Sequence, residues 1–178
     1  MAQGTGNTRW KILLMLSTIF LQNCSQNNQK DPDMMDNDKK NNAAYSRTDS
    51  SKVVLKDEEW KNMLSPEVYH IAREKGTERP FTSKFENAKD IGTYYCAVCG
   101  NPLFKSDTKF ESGCGWPSFY ETISKSSVIY IPDNTLGMKR TEVECGRCNS
   151  HLGHVLEDGP PPQGLRYCIN GWVLDLEK

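Results

Sequence analysis

Cys168 stands in Arg166-Tyr167-Cys168-Ile169-Asn170, with a cation two residues before it and an amide two residues after. If this stretch is a β-strand, side chains alternate between faces. Arg166, Cys168 and Asn170 then share one face, and Tyr167 and Ile169 the other. A guanidinium beside a thiol favours the thiolate, which is the nucleophile. An amide on the same face can hold a polar substrate. A cysteine that only fills space in a buried strand accounts for these five residues equally well, because free cysteine is among the most buried residue types. The other cysteines tilt that balance.

The chain has seven cysteines, and an odd number argues against a simple disulfide framework. Cys96-x-x-Cys99 and Cys145-x-x-Cys148 form a matched pair of pairs about 45 residues apart. Four thiolates brought together by such turns make a closed tetrahedral zinc shell with no position left for water, so one structural zinc ion per chain is expected. Two redox-active dithiols or an iron–sulfur cluster would use the same spacing. Cys114 lies between Gly113 and Gly115, so its backbone is free to move. Trp116 and Phe119 follow it as an aromatic wall, or as core aromatics beyond a tight turn. His151 and His154 lie three apart around a glycine. They could face one cleft through a turn or lie on the surface, and His151 could cap the metal site. Asp158 precedes a rigid Gly- and Pro-rich loop that leads into the Cys168 strand. It could orient a histidine, or serve only as a turn acid.

These side chains need a scaffold. Short β-rich runs bounded by Gly, Pro, Asp or Asn occur at Thr93-Tyr94-Tyr95, at Val128 to Ile131, at Thr141 to Val143 and at Leu165 to Ile169. No strand–helix alternation follows, which excludes a parallel doubly wound sheet. Upstream, residues 57–64 read as a short helix with acids at its start. Ser65-Pro66 suits the cap and first position of a second, ended by Gly76. The expected fold is mainly β and antiparallel, with short N-terminal helices packed on it. A formal net charge of −1 gives no global field toward nucleic acid or a membrane surface.

Residues 1–24 read as a targeting segment. Arg9 and Lys11 precede an apolar run over residues 12–21, too short for a membrane span and suited to a secretory signal core. It stops at Leu21-Gln22-Asn23-Cys24, which resembles a bacterial lipobox; Asn23 replaces the usual small residue. Export as a lipoprotein on the periplasmic side, anchored through Cys24, is the expectation. Residues 25–52 are rich in Asn, Gln, Lys, Asp and Ser, so a disordered tether is expected there, with the domain proper over 53–178.

One family unites the motifs. Ser65-Pro66-Glu67, residues 76–81 (GTERPF), residues 112–119 (SGCGWPSF), His151-Leu152-Gly153-His154-Val155 and Arg166-Tyr167-Cys168-Ile169-Asn170 closely resemble type B peptide-methionine sulfoxide reductase, in unbroken order from about residue 56 to 170. The resemblance implies two antiparallel sheets arranged as a β-sandwich or open barrel. It implies Cys168 as the attacking thiol, Cys114 as the resolving one and Trp116 against the substrate methyl group. It places His151, His154 and Asn170 around the sulfoxide, with Asp158 and Arg166 in support, and His154 as the proton donor. Cys96, Cys99, Cys145 and Cys148 become the structural zinc site. Phe119 would extend the aromatic wall. The implied partners are oxidised proteins or peptides bearing methionine-R-sulfoxide and a thioredoxin-like reductant, with the enzyme a monomer. A zinc-ribbon module explains the paired cysteines but not Cys114 or Cys168, and a thiol peroxidase needs no aromatic methyl pocket.

Overall fold

The computed structural model describes Met1, Lys39 and residues 42–178. The chain divides into two compact units, residues 1–30 and 31–178. The targeting segment, Cys24 and most of the expected tether fall outside the described residues.

Among the described residues, the strands pair antiparallel in two sheets. The smaller has β1 (Thr93–Cys96) between β2 (Pro102–Lys105) and β9 (Leu174–Glu177). The larger runs in the order β3 (Lys109–Phe110), β4 (Ser118–Phe119), β8 (Arg166–Ile169), β7 (His151–Leu156), β6 (Arg140–Cys145) and β5 (Val128–Asp133). The mainly β, two-sheet architecture is the expected one. Its core lies where the sheets meet. Tyr94 and Phe104 come from the small sheet and Phe119 and Tyr167 from the large one. Phe104 stacks on Phe119 with ring centroids 4.3 Å apart, and Tyr94 meets Phe119 edge-on at 5.0 Å. Burying each such ring contributes roughly 1.5–3 kcal/mol. Phe119 is fully buried in this cluster and pairs in register with Tyr167, on the sheet face opposite Cys168. It is a core residue and no part of an aromatic wall at the site.

Two short helices precede the strands. In α1 (Asp57–Met63) the Glu59 carboxylate accepts from the Lys56 N–H at 2.8 Å, and acids fill the first turn. Ser65 stands at the N-cap position of α2 (Pro66–Ala72) without a side-chain cap bond, and Pro66 needs no N–H where it stands. Val68, Ile71 and Ala72 are buried. They pack this helix on β7 and on the 3-10 turn Gly171–Val173 that follows β8. After the helix Lys75 takes a positive φ of 58°, and the Gly76 N–H closes on His70 O at 2.9 Å.

The described part of the expected tether, residues 42–52, is held against the domain. Asn42 is buried and donates to Val98 O at 2.7 Å, and the Ser46 N–H donates to Cys99 O at 3.0 Å. Arg147, also buried, donates to the carbonyls of Ser51 at 2.9 Å, Ser46 at 3.1 Å and Ala44 at 3.2 Å, and to Cys99 O. Tyr45, Arg47 and Lys39 converge on the Asp175 carboxylate. The ordered domain therefore begins before Val53. One buried guanidinium satisfies the backbone of a polar strap, and no apolar pattern is needed.

β7 is a further departure. The stretch expected to turn between His151 and His154 is a strand with a bulge: Glu142 pairs with His154, Val143 with Gly153, and Glu144 with His151, leaving Leu152 unpaired. One extra residue converts a spacing of three into an even one, so both histidines can reach the same face. A side chain at Gly153 would place its Cβ 2.0 Å from Cys168 O, so only glycine lets β7 pair this closely with the cysteine strand.

Candidate active site and metal centre

Alternation along β8 leaves Arg166 and Cys168 half-buried on one face and buries Tyr167 and Ile169 on the other. The register then lays a polar row across four strands. Ser118 on β4 faces Cys168, Cys168 faces His154 on β7, and His154 faces Glu142 on β6. The 112–118 loop brings Cys114 back over this row, and its Sγ lies 3.6 Å from Cys168 Sγ. That separation is a contact between two thiols poised to form a bond.

The two sulfurs differ in their surroundings. Ser112 Oγ–H donates to Cys114 Sγ at 3.0 Å, and Ser118 Oγ lies 3.5 Å from it. Burial works against a Cys114 thiolate, but these hydroxyls outweigh it and the thiol lies below its ordinary value. Cys168 is pushed up to about 12, first by burial and then by Cys114, with Arg166 pulling the other way. The pair therefore releases its first proton from Cys114, and Cys168 feels that charge as repulsion. With Cys114 moved away the repulsion would go, and burial would remain set against Arg166. The Arg166 guanidinium is held by Asp158 in a two-pronged pair, 2.9 Å and 2.7 Å. Asp158 orients this arginine, whereas the sequence offered it a histidine.

The histidines have partners that the sequence did not single out. A carboxylate only accepts, so each ring nitrogen in contact with one carries the hydrogen. His154 Nε2–H donates to Asp133 at 2.8 Å, and His151 Nδ1–H donates to Glu142 at 2.7 Å. The rings lie edge to face with centroids 5.6 Å apart. Burial holds His151 below its ordinary value. Burial also opposes the Glu142 carboxylate, but Lys75 at 2.8 Å and His151 outweigh it and keep it ionised. Glu142 lies three residues before Cys145 and His151 three after Cys148. In an unbulged hairpin those positions would face each other, but the bulge sets Glu142 opposite His154 and Glu144 opposite His151, so sequence spacing alone did not show the contact.

Asn170 lies past the end of β8 and is buried. Its Oδ1 accepts from the Glu78 N–H at 3.1 Å and its Nδ2 donates to Leu152 O at 3.0 Å. It braces backbone and does not continue the open face of Arg166 and Cys168. The half-buried Trp116 indole donates Nε1–H to Glu78 O at 3.3 Å. Glu78 therefore holds both the indole and the end of β8, since its carboxylate also accepts from the Gly171 and Trp172 N–H groups. Its carboxyl is pushed up to about 7 by burial, against those two donors.

The four paired cysteines form a second centre. Their Sγ atoms all lie within 4.8 Å of one another, with Cys96–Cys148 at 3.8 Å and Cys99–Cys145 at 3.6 Å. Zinc–sulfur bonds of about 2.3 Å in a tetrahedron put sulfurs about 3.8 Å apart, so the donor set fits zinc. The two turns are alike. Cys96 O accepts from the Gly100 N–H and Cys145 O from the Asn149 N–H, with positive φ at both donors, 78° and 57°. One turn ends β1 and the other ends β6, so the cluster joins the two sheets. Burial pushes Cys96 up, hydrogen bonding to Cys145 raises Cys99, and the neighbouring thiols pull Cys145 down. Four thiolates coexist around a divalent cation, whose charge favours the ionised form of all of them. His151 is not part of this cluster, and its Nδ1 is committed to Glu142.

An antiparallel β scaffold that presents two touching thiols beside tautomer-fixed histidines, with a separate closed four-thiol cluster, defines a thiol oxidoreductase with a structural metal site. The chain belongs to the methionine sulfoxide reductase B family: the SelR domain model matches residues 64–178. It is 60% identical over 119 residues to the peptide methionine sulfoxide reductase MsrB of Pseudomonas syringae pv. syringae (strain B728a), across 67% of this chain and 91% of that protein. With the protein of the same name from Agrobacterium fabrum (strain C58 / ATCC 33970) it shares 57% over 128 residues, 72% of this chain and 95% of that one. The Methanosarcina mazei protein of that name is 56% identical over 128 residues, 72% of this chain and 91% of that one. The strap at residues 42–52 precedes the matched domain.

Proposed function

We propose that this enzyme reduces methionine-R-sulfoxide in proteins or peptides, with Cys168 attacking and Cys114 resolving. The observation that carries the mechanism is the 3.6 Å contact between the two sulfurs. The Cys168 thiolate attacks the sulfoxide sulfur. His154, fixed by Asp133, supplies a proton to the oxygen. The protonated oxygen then passes from the substrate sulfur to Cys168 as the S–S and S–O bonds to that sulfur break, which releases methionine and leaves Cys168 as a sulfenic acid. Cys114 then closes a disulfide with loss of water. A thioredoxin-like dithiol returns both thiols by exchange. Trp116 takes the methyl group on its apolar face, so the R epimer turns its oxygen toward the polar row. Arg166 favours the Cys168 thiolate once Cys114 has moved. The four-cysteine cluster holds one zinc ion per chain, which supplies a rigid joint between sheets.

The test is turnover of the separated sulfoxide epimers and of hydrogen peroxide with one dithiol reductant. Turnover confined to the R epimer is expected. Equal rates on both epimers, or faster reduction of peroxide, would contradict the proposal. We further propose that the enzyme acts as an exported monomer anchored through lipid on Cys24. The mature protein should partition into detergent and Cys24→Ala should lose that; a soluble product retaining Met1 refutes it.

A further inference from the structure

We propose that Ser112, backed by Ser118, is a catalytic residue of the resolving step, its hydroxyl holding the Cys114 sulfur as the thiolate that closes the disulfide. The inference rests on the function proposed above. Ser112 Oγ donates to Cys114 Sγ at 3.0 Å, and Ser118 Oγ lies 2.7 Å from Ser112 Oγ. Ser118 is 1% exposed and stands across from Cys168 in register. Its hydroxyl must therefore find its partners inside the protein. Those within reach are Ser112 Oγ, Cys114 Sγ and Trp116 O, the last at 3.2 Å. A hydroxyl has one hydrogen to give. Ser112 spends its own on the sulfur, so its oxygen is free to accept from Ser118, whose hydroxyl lies 2.7 Å from Ser112 Oγ and 3.2 Å from the competing acceptor Trp116 O, and, at 3.4 Å, from the Cys114 N–H. Hydroxyls in such a chain polarise one another toward the terminal acceptor.

The step this serves is balanced by the reaction itself. The Cys114 thiolate attacks the sulfur of the Cys168 sulfenic acid. The S–S bond forms and the S–O bond breaks, and its electrons leave with hydroxide, which takes a proton and becomes water. The sulfoxide is the only oxidant required. Ser112 lies on the loop that carries Cys114 and Ser118 on β4 beside Cys168, so together they hold the resolving sulfur 3.6 Å from its target in the reduced enzyme. A hydrogen-bonded thiolate is a weaker intrinsic nucleophile. Yet each tenfold gain in ionised fraction costs only about threefold in nucleophilicity, so the net effect is faster attack.

Single turnover of the full chain with one equivalent of a methionine-R-sulfoxide peptide, following methionine and free thiols together, tests this. In Ser112→Ala, loss of the second thiol, Cys114, should lag methionine release about three- to tenfold more than in the parent, the effect of one lost charge-assisted bond after that offset. Ser112→Thr keeps the hydroxyl and should stay near the parent. A second readout needs no substrate. In a Cys168→Ser background, Ser112→Ala should slow alkylation of Cys114 by iodoacetamide at neutral pH, mapped by peptide mass spectrometry. Disulfide closure at the parental rate in Ser112→Ala, or unchanged alkylation of Cys114, overturns the inference. A parent that releases no methionine, while Cys114 alkylation still depends on Ser112, counts against the proposed function and in favour of the Ser112 contact.

Discussion

The side chains that fix the site are mostly ones that do not touch a reacting atom. Asp133 and Glu142 set the tautomers of His154 and His151, and Asp158 sets the fork of Arg166. Glu78 has the widest reach, through its backbone to Trp116 and Asn170 and through its carboxylate to Gly171 and Trp172. Its burial also predicts a pH effect. The carboxyl titrates near 7 in the fold against an ordinary 4.5, so the folded state keeps a proton that the unfolded chain releases. That contribution to stability is complete below the ordinary value and is lost as pH rises through about 7. Glu78→Gln has no such loss. Thermal melts from about pH 5 to about pH 8 should therefore show the parent falling relative to Glu78→Gln. A constant gap between the two would mean that Glu78 is ionised throughout. The four metal-site cysteines were legible because their spacing is rare, whereas Cys168 and Cys114 stood out only through the motifs around them, since type and spacing alone left Cys168 open. Ser118, Glu142 and Asp133 were not legible, because a serine or an acid in a strand looks like ordinary surface until register places it beside a thiol or a histidine.

At the scale of elements, the strands at residues 93–95, 128–131, 141–143 and 165–169 were readable as β-branched and aromatic runs. β7 was not, because its glycine and two histidines look like a turn, and only the cross-strand approach to Cys168 O explains them. Phe119 misleads for a similar reason. It is adjacent in sequence to the site residue Ser118, and alternation sends it to the core. The strap at 42–52 is the largest correction, since polar composition argued for a free tether, and Arg147 from the metal-site turn holds it together with Asn42, the Ser46 N–H and the Asp175 carboxylate. Arg147→Ala should cost about 1–3 kcal/mol, because the part-buried carbonyls of Ala44, Ser46 and Ser51 and the buried Cys99 O all lose a charged donor. It should also speed loss of zinc to a chelator, because Cys99 O is one of those carbonyls. Thermal unfolding and a chromophoric zinc assay check both. A variant with parental melting and metal release would show the strap to be incidental.

Across the whole molecule, two sheets share one aromatic core and one four-thiol joint. The joint lies at the end of the hairpin that carries Glu142 and His151, so its integrity reaches the active site through β6 and β7. Cys145→Ser should lower both zinc content and melting temperature, and chelation of the parent should do the same without altering Cys114 or Cys168. Melting unchanged by either treatment would remove the structural role of the cluster. The central claim is the division of labour between the two contacting thiols, and a paired single-turnover measurement tests it most directly. With methionine-R-sulfoxide and no reductant, the parent should release about one methionine per chain and yield a Cys114–Cys168 disulfide. Cys114→Ser should release the same methionine and stop at the sulfenic acid, and Cys168→Ser should release none. A first turnover that survives in Cys168→Ser and is lost in Cys114→Ser would contradict the account.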